Sequence, residues 1–218
     1  MSLFSMFFMV RSFGRNLKKI QPQNLTDYEI YSRIKSCFSQ VIMFFSGALG
    51  NLFRQWWLKS QVQSSGSAIS VGMGLEITGG KNIRLGDRVN IMRFNYFYAI
   101  DGRIELGSDV SINSNVQIGA ADGGKIIIGD HVIIGPNVVL RASNHAYERV
   151  DIPIKDQGHT GGEIIIENDV WICANVVVTK DVRIGAHSII AAGSVVTSDV
   201  EPYSVFAGVP AKLLRKRN

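Results

Sequence analysis

The 36 residues from Ile166 to Glu201 consist of a six-residue unit repeated six times, and this repeat constrains the fold more than any other feature. A period of six matches neither the 3.6-residue period of an α-helix nor the two-residue alternation of a plain amphipathic strand. Each unit opens with an aliphatic side chain, in the order Ile166, Ile172, Val178, Ile184, Ile190 and Val196.

The junctions between units indicate what the repeat builds. In Val170-Trp171-Ile172 the outer two side chains are two residues apart on an extended segment, so they point to one face and Trp171 points to the other. Between junctions lie Gly, Asn, Asp and Ala, which allow a chain to turn a corner. The sequence therefore predicts an all-β domain in which short strands and corners alternate, a coiling parallel β-helix.

Composition narrows the class of protein further. The chain has 218 residues, 46% of them hydrophobic and 19% charged, which is typical of a globular protein. Its two cysteines, Cys37 and Cys173, cannot build a disulfide framework, so we expect a reducing, cytoplasmic compartment. The net charge of +5 favours an anionic partner. No nucleic-acid motif or aromatic-interleaved basic patch is present, and we expect no nucleic-acid partner.

Residues 1–65 form a predicted N-terminal helical segment. Met1–Val10 is a poor signal peptide, and Asp27–Lys35 is a predicted short polar helix. The longest apolar run, Val41–Phe53, is shorter than the roughly 20 residues a membrane span needs. Two interpretations fit residues 1–60: helices that pack over the first coil, or an interfacial segment whose aromatic and basic side chains contact the inner membrane face.

The predicted β-helix domain covers residues 66–202 and is followed by a basic C-terminal tail at 203–218. The repeat begins imperfectly after a polar Gly/Ser linker, and we expect the aromatic stretch Met92–Ala99 to interrupt it. A longer insertion at residues 141–163 leaves the repeat altogether and contains two of the four histidines. Long insertions in rigid scaffolds are where functional residues concentrate.

The repeat divides the histidines into two groups. His131 and His187 follow an opening aliphatic residue by three places, which predicts solvated corner positions. His145 and His159 lie in the insertion. An imidazole with an ordinary pKa near 6.5 suits removal of a hydroxyl proton at neutral pH, so His145 is the candidate general base. His159 either lines the acceptor pocket or orders the loop.

Residues 70–215 resemble the hexapeptide-repeat, left-handed β-helix acetyltransferases that use acetyl-CoA. The run from GGKIIIGDHVIIGPNVVLRASNH through DVWICANVVV to GSVVTSDVEPYSVFAGVPAKLLRKR is similar to maltose, galactoside and polysaccharide O-acetyltransferases. The SNHxY…Q-G-H loop is most similar to enzymes that acetylate bacterial surface polysaccharides. The resemblance implies acetyl-CoA as co-substrate, no metal requirement, a sugar or polysaccharide acceptor and a homotrimer with active sites between subunits.

The resemblance also implies roles for individual residues. His145 would deprotonate the acceptor hydroxyl, while Asn113 would contact the acceptor or intermediate and Trp171 would border the acyl site. The remaining positions would bind CoA, with the two cations near its phosphates: Ala174, Ala192, Thr197, Ser198, Lys212 and Arg215. Two residues depart from the family pattern, since Cys173 stands where glycine is usual and Ser198 where lysine is usual.

Rival functions fit less well. A zinc hydratase of the same fold would need three converging histidines, and two of the four are at corners. A structural subunit would need no loop histidine, and a nucleotidyltransferase would carry a Gly-rich nucleotide-binding domain. The alternative that stays open is an N-acetyltransferase acting on a nucleotide-linked amino sugar, because an amine acceptor also needs only a base and a thioester.

The repeat also predicts the outer faces. Three units make one triangular coil, so outward side chains 18 positions apart should stack. Trp171 and Ile189 would share one apolar face, Val177 and Val195 a second, and Ile165, Arg183 and Glu201 a third, more charged face. Two exposed apolar faces favour burial against neighbouring subunits in a closed trimer.

Overall fold

The computed structural model describes residues 39–217. The chain divides into two compact units, residues 1–42 and 43–218. Of the first unit only residues 39–42 are described, and they are helical. The predicted segments Met1–Val10 and Asp27–Lys35 lie outside the described residues.

Helix α1 spans Gly47–Gln61 and belongs to the same compact unit as the coils, whereas the sequence assigned it to the segment 1–65. Its buried positions recur at helical spacing and therefore form one face: Gly50, Arg54, Trp57 and Leu58. The helix ends where Val62 becomes extended and donates its N–H to the carbonyl of Leu58. No helix of the described residues is long and apolar enough to cross a membrane.

After α1 the chain winds through three parallel sheets, which we name A, B and C. Sheet A contains β1 (Ser64–Ser65), β4 (Ile83–Leu85), β7 (Arg103–Leu106), β10 (Lys125–Ile128), β15 (Glu163–Ile166) and β18 (Val182–Ile184). Sheet B contains β2 (Ser70–Val71), β5 (Asn90–Ile91), β8 (Ser111–Ile112), β11 (Ile133–Ile134), β16 (Trp171–Ile172), β19 (Ile189–Ile190), β21 (Ser204–Ala207) and β22 (Lys212–Lys216). Sheet C contains β3 (Glu76–Thr78), β6 (Tyr96–Tyr98), β9 (Gln117–Gly119), β12 (Val139–Arg141), β17 (Val177–Val178) and β20 (Val195–Val196).

Each coil takes one strand from each sheet, which gives a prism of six coils and confirms the predicted parallel β-helix. The aliphatic residues that open the six-residue units point into the prism and are buried, as at Ile172, Ile184 and Ile190. Corner residues adopt the left-handed conformation that Asn and Asp tolerate, with φ near 60° at Asn115, Asn137 and Asn175. The sequence pattern thus separates into core positions and turn positions.

The aromatic stretch Met92–Ala99 does not interrupt the repeat, contrary to the prediction. Phe97 follows Ile91 by six residues, and both side chains are fully buried. Strand β6 pairs in parallel with β3 and β9 on either side. A phenylalanine therefore occupies a core position that elsewhere holds an aliphatic residue.

The predicted basic tail at 203–218 also needs correction. Strand β21 pairs with β19 and so extends sheet B, since Val205 and Phe206 supply another buried pair. Strand β22 then turns back and pairs antiparallel with β21. The β-helix therefore continues past residue 202.

The stacking of outward side chains follows the repeat for two faces and part of the third. Trp171 pairs with Ile189 on sheet B, and Val177 pairs with Val195 on sheet C. On sheet A, Ile165 pairs with Arg183. Glu201 does not continue that row, because Ile184 bridges Val200 and this step is two residues shorter than the coil directly before it.

Candidate active site

All variation in coil length occurs at one corner, the turn from sheet C to sheet A, which we call the CA corner. The turns from A to B and from B to C have four residues in every coil. The CA corner instead holds turns of different lengths, at residues 79–82, 99–102, 120–124, 142–162 and 179–181. The long insertion therefore emerges at the edge of the prism where the turns vary in length.

The insertion begins and ends in a short antiparallel hairpin. Strand β13 (Ser143–His145) pairs with β14 (His159–Gly161), and the register places His145 opposite His159. The N–H of Ala146 donates to the carbonyl of Gly158 at 3.0 Å and closes the next step of the hairpin. A 3₁₀ turn at Ile154–Asp156 lies in the outer part of the loop.

The side-chain amide of Gln157 cross-links the outer part of the loop by hydrogen bonds to its backbone. Its amide nitrogen, Nε2, donates to the carbonyl of Arg149 at 2.7 Å, and its Oε1 accepts from the Arg149 N–H at 3.1 Å. The same nitrogen lies 3.2 Å from the carbonyl of Ile152. One side chain therefore holds both limbs of the loop and limits its conformations.

The hairpin lies tightly against the preceding CA corner. A Cβ added at Gly161 would be 2.3 Å from the carbonyl oxygen of Asp122 and 2.7 Å from the nitrogen of Gly124. Contacts that short do not occur for real side chains, so the backbones can approach only because residue 161 is glycine. This contact fixes the hairpin relative to the coils.

His145 and His159 form a pair of adjacent rings. Their centroids are 4.1 Å apart and their planes are tilted by 37°. Behind His159, the carboxylate Oδ2 of Asp122 lies 3.6 Å from the ring nitrogen Nδ1. Both imidazoles are exposed, so His145 is open to a ligand while one face of its ring is in contact with His159.

The rings line an open pocket of about 540 Å³ at the CA corner. Its walls come from three successive corners and from both hairpin strands: Tyr98, Ala121, Asp122, Arg141, Ser143, Asn144, His145 and His159. A volume of this size suits a ligand such as a sugar. Sequence reasoning identified only the two histidines. Ser143 and Asn144 adjoin His145 on β13, whereas Tyr98, Ala121 and Asp122 belong to earlier coils and become neighbours through a register that the irregular CA corners obscure.

The other predicted site residues lie elsewhere in the protomer. Thr197 and Ser198 are exposed at the CA corner of the last coil. Asn113, Ala174 and Ala192 occupy the corner between sheets B and C, where the N–H of Gly193 donates to the carbonyl of Ala174. None of these residues lines the pocket.

The remaining three predicted site residues lie on sheet B. Trp171 is 48% exposed on its outer face, and Lys212 and Arg215 are exposed on β22. One protomer therefore does not bring the predicted acceptor and CoA positions together. They are distributed along two edges and one face of the prism.

Cys173, at the corner between sheets B and C, is half-buried. Burial raises the pKa of its thiol, and a hydrogen bond involving the Ala192 backbone opposes that effect. A thiol with a raised pKa is a poor nucleophile. The environment of Cys173 is therefore that of a packing residue.

The corner histidines contact acidic residues instead of the pocket. His187 Nδ1 is 2.9 Å from Asp169 Oδ2, and His131 Nδ1 is 3.7 Å from Asp109 Oδ2. Within residues 39–217, no three His, Cys, Asp or Glu side chains are grouped so that they could hold a metal ion.

Six coils of hexapeptide units with an inserted histidine loop define a hexapeptide-repeat β-helix protein, and the family description "Bacterial transferase hexapeptide (six repeats)" matches residues 163–198. The galactoside O-acetyltransferase of Escherichia coli (strain K12) is 36% identical over 127 residues, which cover 56% of this chain and 58% of that protein. The chain is thus similar to hexapeptide-repeat acetyltransferases, and it spans less than two thirds of the length of the curated relatives it matches.

Two solved structures have similar folds. One is a hexapeptide-repeat acetyltransferase from Vibrio cholerae O1 biovar eltor complexed with acetyl-CoA, with a TM-score of 0.58 and 27% identity over 91% of this chain and 93% of that chain. The other is a galactoside acetyltransferase in complex with CoA, also with a TM-score of 0.58 and 27% identity, covering 85% of this chain and 80% of that chain.

Proposed function

We propose that this protein transfers an acetyl group from acetyl-CoA to a hydroxyl group of a sugar, with His145 as the general base. The observation that carries the proposal is the exposed His145 ring at the mouth of a pocket of about 540 Å³, held against His159 by the hairpin register. We further propose that the acceptor sugar belongs to a bacterial surface polysaccharide, on the resemblance of the inserted loop.

In the proposed reaction the imidazole of His145 takes the proton of the acceptor hydroxyl as the oxygen attacks the thioester carbonyl. A C–O bond forms, the C–S bond breaks, and the sulfur leaves and takes up a proton as CoA. His159 keeps the ring of His145 in place, and Asp122 in turn lies beside His159. General base catalysis of this kind contributes roughly 10²–10⁴-fold to a rate.

The surfaces outside the pocket suit a CoA molecule. Ala174 and Ala192 have small side chains at stacked corners, which leave room for an extended pantetheine arm. Lys212 and Arg215 are exposed cations on β22, and cations of this kind recognise phosphate. When bound, acetyl-CoA would supply the activated acyl group, while the chain supplies the base and the acceptor pocket.

We also propose that the active unit is a homotrimer. In one protomer the His145 pocket and Asn113 lie at different corners, so packing the CA corner of one subunit near the B–C corner of the next would bring them together. The outer faces of sheets B and C present apolar side chains, among them Trp171 and Ile133, which are 48% and 52% exposed. Large apolar surfaces of this kind favour subunit contacts.

The proposal is tested by measuring thiol release from acetyl-CoA with a panel of hydroxyl sugars and amino sugars. We expect acetylation of at least one hydroxyl sugar by the full-length protein and its loss in the His145→Ala variant. Release with nucleotide-linked amino sugars alone would replace this proposal by the N-acetyltransferase alternative. Equal turnover in the variant would remove His145 from the mechanism.

A further inference from the structure

Arg141 is the charged residue of the pocket that the reaction described above does not use. It is the last residue of β12, and the parallel register places it beside Gly119 of β9, which in turn lies beside Tyr98 of β6. Tyr98 and Arg141 both line the pocket with His145. The position between them carries no side chain.

The glycine leaves space for the guanidinium group. A Cβ added at Gly119 would be 2.6 Å from Nη1 of Arg141, 3.1 Å from its Cδ and 3.3 Å from its Cζ. The side chain of Arg141 therefore folds back over the backbone of Gly119, where any larger residue would displace it. The long side chain of Arg141 and the missing side chain at Gly119, on neighbouring coils, together define where this positive charge is held.

The charge of Arg141 has no acidic partner. Among the described residues, no carboxylate oxygen lies within 4.0 Å of its guanidinium group. Six arginines elsewhere on residues 39–217 do pair with a carboxylate: Arg84, Arg88, Arg103, Arg149, Arg183 and Arg217. The carboxylate of the pocket itself, Asp122, lies beside His159 instead.

We infer that Arg141 binds an anionic group of the acceptor, a carboxylate or a phosphate on or next to the sugar that is acetylated. A guanidinium presents two parallel N–H donors that match the oxygens of either group, which makes it selective for planar or tetrahedral oxyanions. Held at the wall of the pocket, it orients the sugar so that one hydroxyl faces His145. The inference rests on the proposed function and makes Arg141 a specificity-determining residue of the same site.

Binding of simple probes tests this without turnover. The full-length protein is titrated with glucuronate, glucose 1-phosphate and glucose, with ligand-observed NMR as the readout. We expect at least one anion to bind roughly tenfold or more tightly than glucose, the scale of a hydrogen-bonded charge pair. A preference for glucuronate assigns a sugar carboxylate, and a preference for glucose 1-phosphate assigns a phosphate.

Two variants and a matched control locate the effect. Arg141→Gln should abolish the preference, and Gly119→Ala should weaken it by displacing the guanidinium while the φ of residue 119 stays in the ordinary region. Arg84→Gln, which removes the same charge from the outer face of sheet A, should leave the preference unchanged. Unchanged thermal unfolding would show that all three variants are folded.

The inference is overturned if neither anion binds better than glucose, or if Arg141→Gln binds both anions as well as the wild type. It is also overturned if Arg141→Gln weakens binding of acetyl-CoA and leaves anion binding unchanged, since the guanidinium would then serve the CoA phosphates. Thiol release is scored separately, so an absence of transfer to every acceptor would count against the proposed function and not against the anion site.

Discussion

The imidazole rings of His145 and His159 are in contact across the hairpin, with their centroids 4.1 Å apart. The contact follows directly from the antiparallel register, which pairs these two residues at the end of β13 and the start of β14. A loop of 13 residues between them is therefore compatible with a fixed position for the ring that we propose as the base. The geometry leaves His145 exposed, and we propose a positioning role for His159.

The first prediction separates these two roles. We expect His145→Ala to lower kcat by roughly 10²–10⁴-fold, the usual contribution of a general base, with an unchanged midpoint of thermal unfolding because the side chain is exposed. Steady-state thiol release and differential scanning calorimetry measure the two quantities.

His159→Phe is the matched control for that prediction. It keeps an aromatic ring against His145 and should retain more activity than His159→Ala, which removes the contact. The two variants should differ in kcat and not in the KM for acetyl-CoA. Equal activity of the two would contradict a positioning role for the ring at residue 159.

The second prediction concerns the backbone contact between the hairpin and the preceding CA corner. A Cβ at Gly161 would be 2.3 Å from the carbonyl oxygen of Asp122, so Gly161→Ala must shift the hairpin away from the coil below. We expect a fall in kcat of at least roughly tenfold, because small misplacements of catalytic groups are costly, while the buried core is untouched. Thr160→Ala, on the same strand, should keep nearly full activity; a Gly161→Ala variant as active as this control would contradict the assigned contact.

How far the sequence predicted this structure differs between the coils and the site. The aliphatic period from Ile166 to Val196 was enough to place core and corner positions, because each coil repeats the same local geometry. The register across the CA corners was not predictable, since these turns vary in length and bring Tyr98 and Arg141 together only in three dimensions. The prediction at Phe97 was wrong because an aromatic residue replaces the usual aliphatic residue there. The six-residue spacing of buried positions is nevertheless kept.

The third prediction concerns the junction between α1 and the first coil. Arg54 is 5% exposed, and its Nε donates to the carbonyl of Val71 at 2.7 Å while its Nη1 donates to the carbonyl of Phe45 at 2.6 Å. Asn51 Oδ1 accepts from the N–H of Val71, so the helix satisfies the outer edge of β2, which has a strand neighbour on one side only. Burial lowers the pKa of Arg54.

We expect Arg54→Met to lower the free energy of unfolding by about 3 kcal/mol, because it leaves two carbonyl groups without their donor. Lys59→Met, at an exposed position of the same helix, should change it by less than about 0.5 kcal/mol. Urea unfolding followed by circular dichroism gives both values. Equal stability of the two variants would show that the arginine contributes nothing at this junction.

The fourth prediction tests the proposed trimer. Val177 and Val195 stack in register on the outer face of sheet C, where both are half-buried in the protomer. Burying two aspartates without partners in a subunit contact is strongly unfavourable, so Val177→Asp with Val195→Asp should dissociate the assembly and abolish thiol release. Light scattering measures the mass. An intact trimer in the double variant, or an active wild-type monomer, would contradict the assignment of this face.

The fifth prediction concerns acid stability at the corner between sheets A and B. Asp169 Oδ2 lies 2.9 Å from Nδ1 of His187 and 3.2 Å from Nη1 of Arg217, and the hydrogen bond with His187 is the main reason that the pKa of Asp169 is lowered from its ordinary 3.8. The unfolded chain therefore binds this proton more readily than the folded chain. The stability that Asp169 contributes is complete above pH 3.8 and is lost as the pH falls through the lower folded-state value.

We therefore expect the thermal midpoint of the wild type to fall more steeply below pH 4 than that of Asp169→Asn, which has no such proton to bind. Asp101→Asn is the control, since Asp101 occupies a corner with a similar backbone conformation and makes no ion pair within residues 39–217. Scanning calorimetry between about pH 3 and pH 6 compares the three proteins, a window set by the ordinary carboxyl pKa. If Asp169→Asn follows the wild-type curve, the ion pair with His187 and Arg217 does not contribute to the stability of the corner.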